Sequence, residues 1–313
     1  MRIVFFGTSE FAAGVLSSLL DQGFDVKAVV TRPDKPQGRS LRVASPPVKQ
    51  MLLDRPTSNI PVLQPVKAST EEFKLQLLEF DADLFVVVAY GEILKQFILD
   101  IPKKACINVH ASLLPSYRGA APIHRCILDG CDHSGVTVME MVLKMDAGDI
   151  LAVHKVPLTK EMNFSDLEQK LLEASCIILP QVINNFDYFY SNKVKQDEKI
   201  VSYAEKIQQE DMKIVWSDTA DVSFNRVRAF SPSPSAWSYV EIGSEIKRVK
   251  IKSCLPIHQK EVESPGSVIV DGKNLFIVCG DGRLQVFELQ LEGKKSVSSA
   301  EFLNGIRSSV FFK

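Results

Sequence analysis

Two side chains that could do acyl chemistry stand two apart in the segment ACINVH at 105–110: the amide of Asn108 and the imidazole of His110. The apolar run Ala105–Val109 reads as a buried strand. Side chains alternate along a strand, so positions 108 and 110 face the same way where it ends. Pro115 stops regular structure beyond them and Gly119 permits a turn. An amide aimed at a developing oxyanion beside an imidazole that moves a proton would suit transfer of an acyl group. The residues alone leave a second reading open, in which Asn108 and His110 cap the strand and satisfy loop backbone. The loop itself adds weight to the first, because Leu113 and Leu114 are awkward in a loop unless they line a pocket.

The elements that must position this pair follow in chain order. RIVFF at 2–6 ends at Gly7. A helix from about 12 to 23 follows, with Thr8 or Ser9 as N-cap and Gly23 as stop, and DVKAVVT at 25–31 is a second strand. This β-α-β opening lacks the GxGxxG that cradles a pyrophosphate, which argues against a dinucleotide role. Residues 31–49 form a long loop with five basic residues and one acid, in which Arg39 and Arg42 could meet phosphates or simply be solvated. Next come a short strand at 61–66, a helix at 70–82 and a nearly continuous apolar strand at 83–94 ending in Tyr90-Gly91. A helix at 120–130, a strand at 135–141, the loop KMDAGDI and an edge strand at 150–158 complete the sheet. Ser165-x-x-Glu168 reads as a capping box opening a helix that runs to about Tyr190.

After a polar stretch at 190–206 the pattern changes to short strands separated by Gly243-Ser244, Asp271-Gly272 and Asp281-Gly282, the signature of a small β-barrel, OB-like. Helices are expected near 224–230 and 299–305. Arg248, Lys250 and Lys252 share one face of a strand, either as an RNA-facing stripe or as a solvated face. The predicted domains are 1–189, a linker at 190–206, and 207–313.

The chain has 313 residues, 45% of them apolar and 24% charged, with a net charge of -1, as expected of an ordinary globular protein of about two domains. Any nucleic acid must therefore bind to local patches. The N-terminal segment has no signal-peptide character and no run reaches the length of a membrane span, so a cytoplasmic protein is expected. The six cysteines form no CxxC pair and no histidine grouping with metal spacing, so they are expected to be reduced and no metal to be required. His124 and His154 are read as structural.

The motif Asn108-x-His110-x-Ser112-Leu113-Leu114-Pro115-x-x-Arg118-Gly119, followed by Asp146 before the pair Gly148-Asp149, resembles the signature of the folate-dependent formyltransferases. GTSEFAA, PDKPQGR, VVAYG, YAEKI and RAFSPSP extend the resemblance over the whole chain. It implies an α/β, Rossmann-like domain with a mostly parallel sheet, followed by the small barrel. It also implies catalysis by Asn108, His110 and Asp146, with folate held by Ser112, Leu113, Leu114, Pro115, Val88, Tyr90 and Gly91. The basic loop, through Lys35, Arg39 and Arg42, and the barrel, through Arg248, Lys250 and Lys252, would then contact tRNA. The loop carries Ser40-Leu41 where family members often have Gly and Lys. The implied reaction carries a formyl group from 10-formyltetrahydrofolate to the α-amino group of methionine on initiator tRNA, performed by a monomer. The alternative acceptor is an amino sugar nucleotide or another small amine.

Overall fold

The computed structural model describes residues 1–37, 42–55, 59–259, 261–306 and 308–313. The chain forms two compact units that interleave along the sequence. The first comprises Met1–Gly119, Ser134–Pro157 and Glu168–Tyr203; the second comprises Ala120–His133, Leu158–Leu167 and Ala204–Lys313.

The first unit is built on a seven-stranded sheet with the strands in the order 150–157, 133–140, 105–110, 84–88, 3–7, 26–30 and 62–63. The strand Ile3–Gly7 runs parallel to Val26–Val30 and to Leu84–Val88, which in turn runs parallel to Ala105–His110. Only beyond Ala105–His110 does an antiparallel neighbour appear, with His110 opposite Thr137. Ile3–Gly7, Leu84–Val88 and Ala105–His110 are buried throughout, which explains their continuous apolar character. The chain leaves Ile3–Gly7 in one direction and later returns on its other side. The carboxyl ends of Ile3–Gly7 and Leu84–Val88 therefore mark a switch point, where open sheets bind ligands.

The helix Glu10–Asp21 buries Phe11, Ala12, Val15, Leu16 and Leu19 at helical spacing, each large side chain contributing about 1.5–3 kcal/mol. Ser9 caps its first turn by accepting from the Ala12 amide at 3.3 Å, and Gly23 ends it at φ 77°.

Several elements differ from the sequence reading. The strand predicted at 83–94 stops at Val88, because Ala89 (φ 42°) and Gly91 (φ 82°) turn the backbone left-handed. The loop predicted at 31–49 contains a hairpin, Lys35–Gln37 with Arg42–Ala44, and the start of a helix, Pro47–Leu53. The cap of the long helix is Asn163, not Ser165. The Asn163 side chain accepts from the amides of Ser165 (2.8 Å) and Asp166 (3.2 Å), and Asp166 accepts in return from the Asn163 amide at 3.0 Å. That helix spans Phe164–Asn184 and a second one, Phe186–Ser191, follows it.

The second unit is a nearly closed antiparallel sheet in the order 268–271, 274–278, 283–291, 245–257, 236–242 and 310–312, with a bridge between Ser267 and Phe311 joining its ends. The final strand Val310–Phe312 has no counterpart in the sequence reading. Val249, Ile251, Leu275, Ile277, Leu284, Val286 and Leu289 fill the interior. The helix Pro122–Leu128 and the segment 158–167 belong to this unit. His124 lies between Phe164 and Phe230, with ring centroids 4.2 and 5.4 Å away, and Arg125 holds Asp211 with two bonds of 3.0 and 2.9 Å.

Candidate active site

Asn108 and His110 emerge where the strand Ala105–His110 ends, both buried, with Asn108 9% and His110 6% exposed. Asn108 stands opposite Val87 of the neighbouring strand, so the Val88–Gly91 turn lies beside it. The same turn is tied back to the switch point by the Thr8 hydroxyl, which donates to the Tyr90 carbonyl at 2.9 Å.

His110 Nε2 lies 2.9 Å from the carbonyl oxygen of Tyr117. A carbonyl can only accept, so Nε2 carries hydrogen and Nδ1 is the nitrogen left for chemistry. Nδ1 is 3.7 Å from Asp146 Oδ2. The same carboxylate oxygen accepts from the Gly119 amide at 2.8 Å. Asp146 itself sits at φ 48° and Tyr117 at φ 62°, conformations that cost side-chain-bearing residues of the order of 1–3 kcal/mol each unless their surroundings impose them. The motif spacing therefore brings together Asn108 and His110 from one strand end and Asp146 from the loop after the next strand.

The loop at 112–119 is pinned from below. Thr137 is fully buried; its hydroxyl donates to the Ser112 carbonyl at 2.7 Å and accepts from the Leu114 amide at 3.1 Å. The Ser112 hydroxyl donates to the Ser116 carbonyl at 2.7 Å, so this residue is committed to holding the loop's shape. Leu114 is buried and Leu113 partly so; Val88 is buried and Gly91 is exposed beyond the end of its strand. Tyr90 turns its ring into the hydrophobic core, edge-on to Phe6 at 5.6 Å, and burial pushes its hydroxyl well above the ordinary tyrosine range.

Of the basic residues singled out, Lys35 stands exposed at the start of the hairpin. Arg42 opens its second strand, and Arg39 lies outside the described residues. In the second unit Arg248, Lys250 and Lys252 do occupy one face of the strand Glu245–Ile257. The Arg248 guanidinium stacks on Trp237 at 3.9 Å. Lys250 donates to the Pro234 carbonyl (2.9 Å), and Lys252 to the Pro232 carbonyl (3.0 Å) and the Ser235 hydroxyl (2.8 Å). Burial, then the like charges of Lys252 and Arg248, lowers the proton affinity of Lys250.

The sequence reading gave no role to Thr137, Arg118 or Gln196, all of which touch the site's framework. A polar residue inside the apolar strand GVTVMEM was the available signal for Thr137; Gln196 had none, lying in a polar stretch with no periodicity. Among the described residues, no group of three or more His, Cys, Asp or Glu side chains is placed to hold a metal ion, and no helix is long and apolar enough to cross a membrane.

Comparison with known proteins identifies the family. Residues 1–183 match the family model described as formyl transferase, and residues 206–307 match the formyl transferase C-terminal domain. The chain is 44% identical to the methionyl-tRNA formyltransferase of Protochlamydia amoebophila, over 98% of this chain and 95% of that one. It is 42% identical to the methionyl-tRNA formyltransferase of Chlamydia trachomatis serovar L2b, over 97% and 96%. Among solved structures, the sugar 3N-formyl transferase WlaRD, crystallised in the presence of dTDP and 5-N-formyl-THF, shares the fold with a TM-score of 0.65. That match has 20% identity and covers 94% of this chain and 99% of the other. With both domains matched in order and relatives this similar along nearly the whole length, the chain belongs to the methionyl-tRNA formyltransferase family.

Proposed function

We propose that this protein transfers the formyl group of 10-formyltetrahydrofolate to the α-amino group of methionyl-initiator tRNA, giving formylmethionyl-tRNA for translation initiation. The observation that carries the chemistry is the convergence of Asn108, His110 and Asp146, with His110 Nδ1 turned towards the carboxylate. The choice of acceptor follows the relatives above, which align with both domains. The residues present suit a folate: the Leu113–Pro115 loop and the Val88–Gly91 turn lie by the polar pair, and Leu113 and Pro115 leave apolar surface partly accessible there. Leu113, Pro115 and Gly91 would hold that co-substrate with their accessible surface, and Ser112, Leu114, Val88 and Tyr90, whose side chains are buried, only through main-chain groups. The co-substrate supplies the formyl carbon.

The chain's own groups would act as follows. Asn108 donates its amide hydrogen to the formyl oxygen as negative charge grows there during attack by the amine. His110 donates from Nδ1 to the same oxygen, and an imidazolium at this position has its counter-charge in Asp146. Asp146 accepts the proton that the attacking nitrogen loses, directly or through a water, and gives it to the folate nitrogen as the bond from that nitrogen to the formyl carbon breaks.

In this reading 1–189 is the catalytic domain, 190–206 the linker and 207–313 the tRNA-binding barrel. Lys35, Arg39, Arg42, Arg248, Lys250 and Lys252 contact the tRNA. The protein works in the cytoplasm as a monomer without a metal.

The test is transfer of a labelled formyl group from 10-formyltetrahydrofolate by the full chain to three acceptors: methionyl-initiator tRNA, uncharged tRNA and an amino sugar nucleotide. The expected result is labelled formylmethionine on the charged tRNA alone. Label only on the amino sugar nucleotide would keep the catalytic assignment and overturn the acceptor; no transfer to any acceptor would overturn both.

A further inference from the structure

The segment between the two matched family regions does more than connect them. Val194 exchanges two backbone hydrogen bonds with Ile150, at 2.8 and 2.9 Å. Lys193 pairs with Glu140, which also accepts from the Tyr190 hydroxyl at 2.7 Å. Further on, the Ser202 hydroxyl accepts from the Tyr117 amide and the Ser202 carbonyl from the Arg118 amide, both at 2.9 Å. Between these anchors lies Gln196, and both ends of its amide are used. Nε2 donates to the carbonyls of Asp146 and Gly148, each at 2.8 Å. Oε1 accepts from Arg118 Nε at 3.0 Å. The Arg118 side chain is fully buried, and its Nη2 donates to Glu198 at 2.9 Å.

We propose that Gln196 is a positioning residue for Asp146, fixing the loop that carries the carboxylate to the loop that orients His110. This rests on the reading of Asp146 as the proton acceptor. The bonds form a closed circuit. Gly119 holds the Asp146 carboxylate, its chain neighbour Arg118 holds Gln196, and Gln196 holds the Asp146 main chain. A residue kept at φ 48° must be constrained from several sides, and this circuit supplies the constraint from the main-chain side. The amide is suited to the place because it alone offers two donors for two carbonyls and an acceptor for a guanidinium. A glutamate would keep the acceptor but lose the donors, and a leucine would lose both.

The experiment measures kcat, and KM for 10-formyltetrahydrofolate and for methionyl-tRNA, in the full chain. The variants are Gln196→Leu, Gln196→Glu, Asp146→Asn and the double Asp146→Asn/Gln196→Leu, with thermal melts to establish that each folds. Misplacing a reacting group by about an ångström costs up to about a hundredfold, so Gln196→Leu should lose about ten- to a hundredfold in kcat with both KM values unchanged. Gln196→Glu should lose as much, which keeps the test available if the leucine variant does not fold. The double variant should be no slower than Asp146→Asn, since Gln196 works through Asp146. Wild-type kcat in both Gln196 variants, a loss confined to KM, or losses that multiply in the double variant would each overturn the proposal while leaving Asp146 in place. Normal turnover in Asp146→Asn would instead overturn the reading of Asp146, and the proposal with it.

Discussion

The two histidines of the site and of the barrel unit show how surroundings decide what one side chain does. At His110 the Tyr117 carbonyl occupies Nε2 and leaves Nδ1 for chemistry next to Asp146. His124 is instead packed between two phenylalanine rings. Burial foremost, and then Arg125, lowers its pKa to about 4 from an ordinary 6.5. The folded state thus binds the His124 proton more weakly than the unfolded chain does. Its neutral packing is fully favourable above about pH 6.5 and is lost progressively as the pH falls towards about 4. A His124→Phe variant cannot titrate, so its melting temperature should fall less than the wild type's between these pH values. Parallel curves for the two proteins would contradict the assignment.

The loop bearing Asp146 depends on a close approach between chain segments. A Cβ at Gly148 would lie 1.8 Å from the Glu140 carbonyl oxygen, so Gly148→Ala must push the loop off its strand. We expect a loss of about 1–3 kcal/mol in stability, read by denaturant unfolding, together with a fall in kcat. Unchanged values of both would show that the loop can shift freely. How much of this was legible in the sequence depended on whether the signal was local. Strand periodicity places Asn108 and His110 on one face, and of the two N-caps open to the first helix, Thr8 and Ser9, contacts choose Ser9, with Gly23 at the other end. The cap at Asn163 was misread because two capping patterns overlap there, Asn163 with Asp166 and Ser165 with Glu168, and only contacts choose between them. The strand ending at Val88 was read too long because Ala89, unlike a glycine, gives no hint of a positive φ. Gln196 was invisible because its partners Asp146 and Arg118 are 50 and 78 positions away.

On the scale of the whole molecule, a net charge of -1 leaves tRNA affinity to local patches. In the barrel, Arg248, Lys250 and Lys252 crowd one face, and a bound phosphate would relieve the repulsion that, after burial, lowers the proton affinity of Lys250. The KM for methionyl-tRNA should therefore rise with salt, and the slope should become shallower in Lys250→Ala; a salt-independent KM would contradict tRNA binding by these charges. The segment around Glu198 has its own acid limit. Hydrogen bonds from Arg118 and then Lys144 hold Glu198 at about 2, below its ordinary 4.5. Its contribution is therefore present above about pH 4.5 and is lost as the pH falls towards 2. Glu198→Gln should show a correspondingly weaker acid dependence of the melting temperature, and an undiminished one would remove Glu198 from that role.

The central event of the proposed mechanism is the stabilisation of charge on the formyl oxygen. The most direct measurement is the single-turnover rate of formyl transfer to methionyl-initiator tRNA by the wild-type chain and by Asn108→Ala. Loss of one oxyanion donor should slow the chemical step about a hundredfold or more, equivalent to about 3 kcal/mol. A near-normal rate in Asn108→Ala would contradict the account.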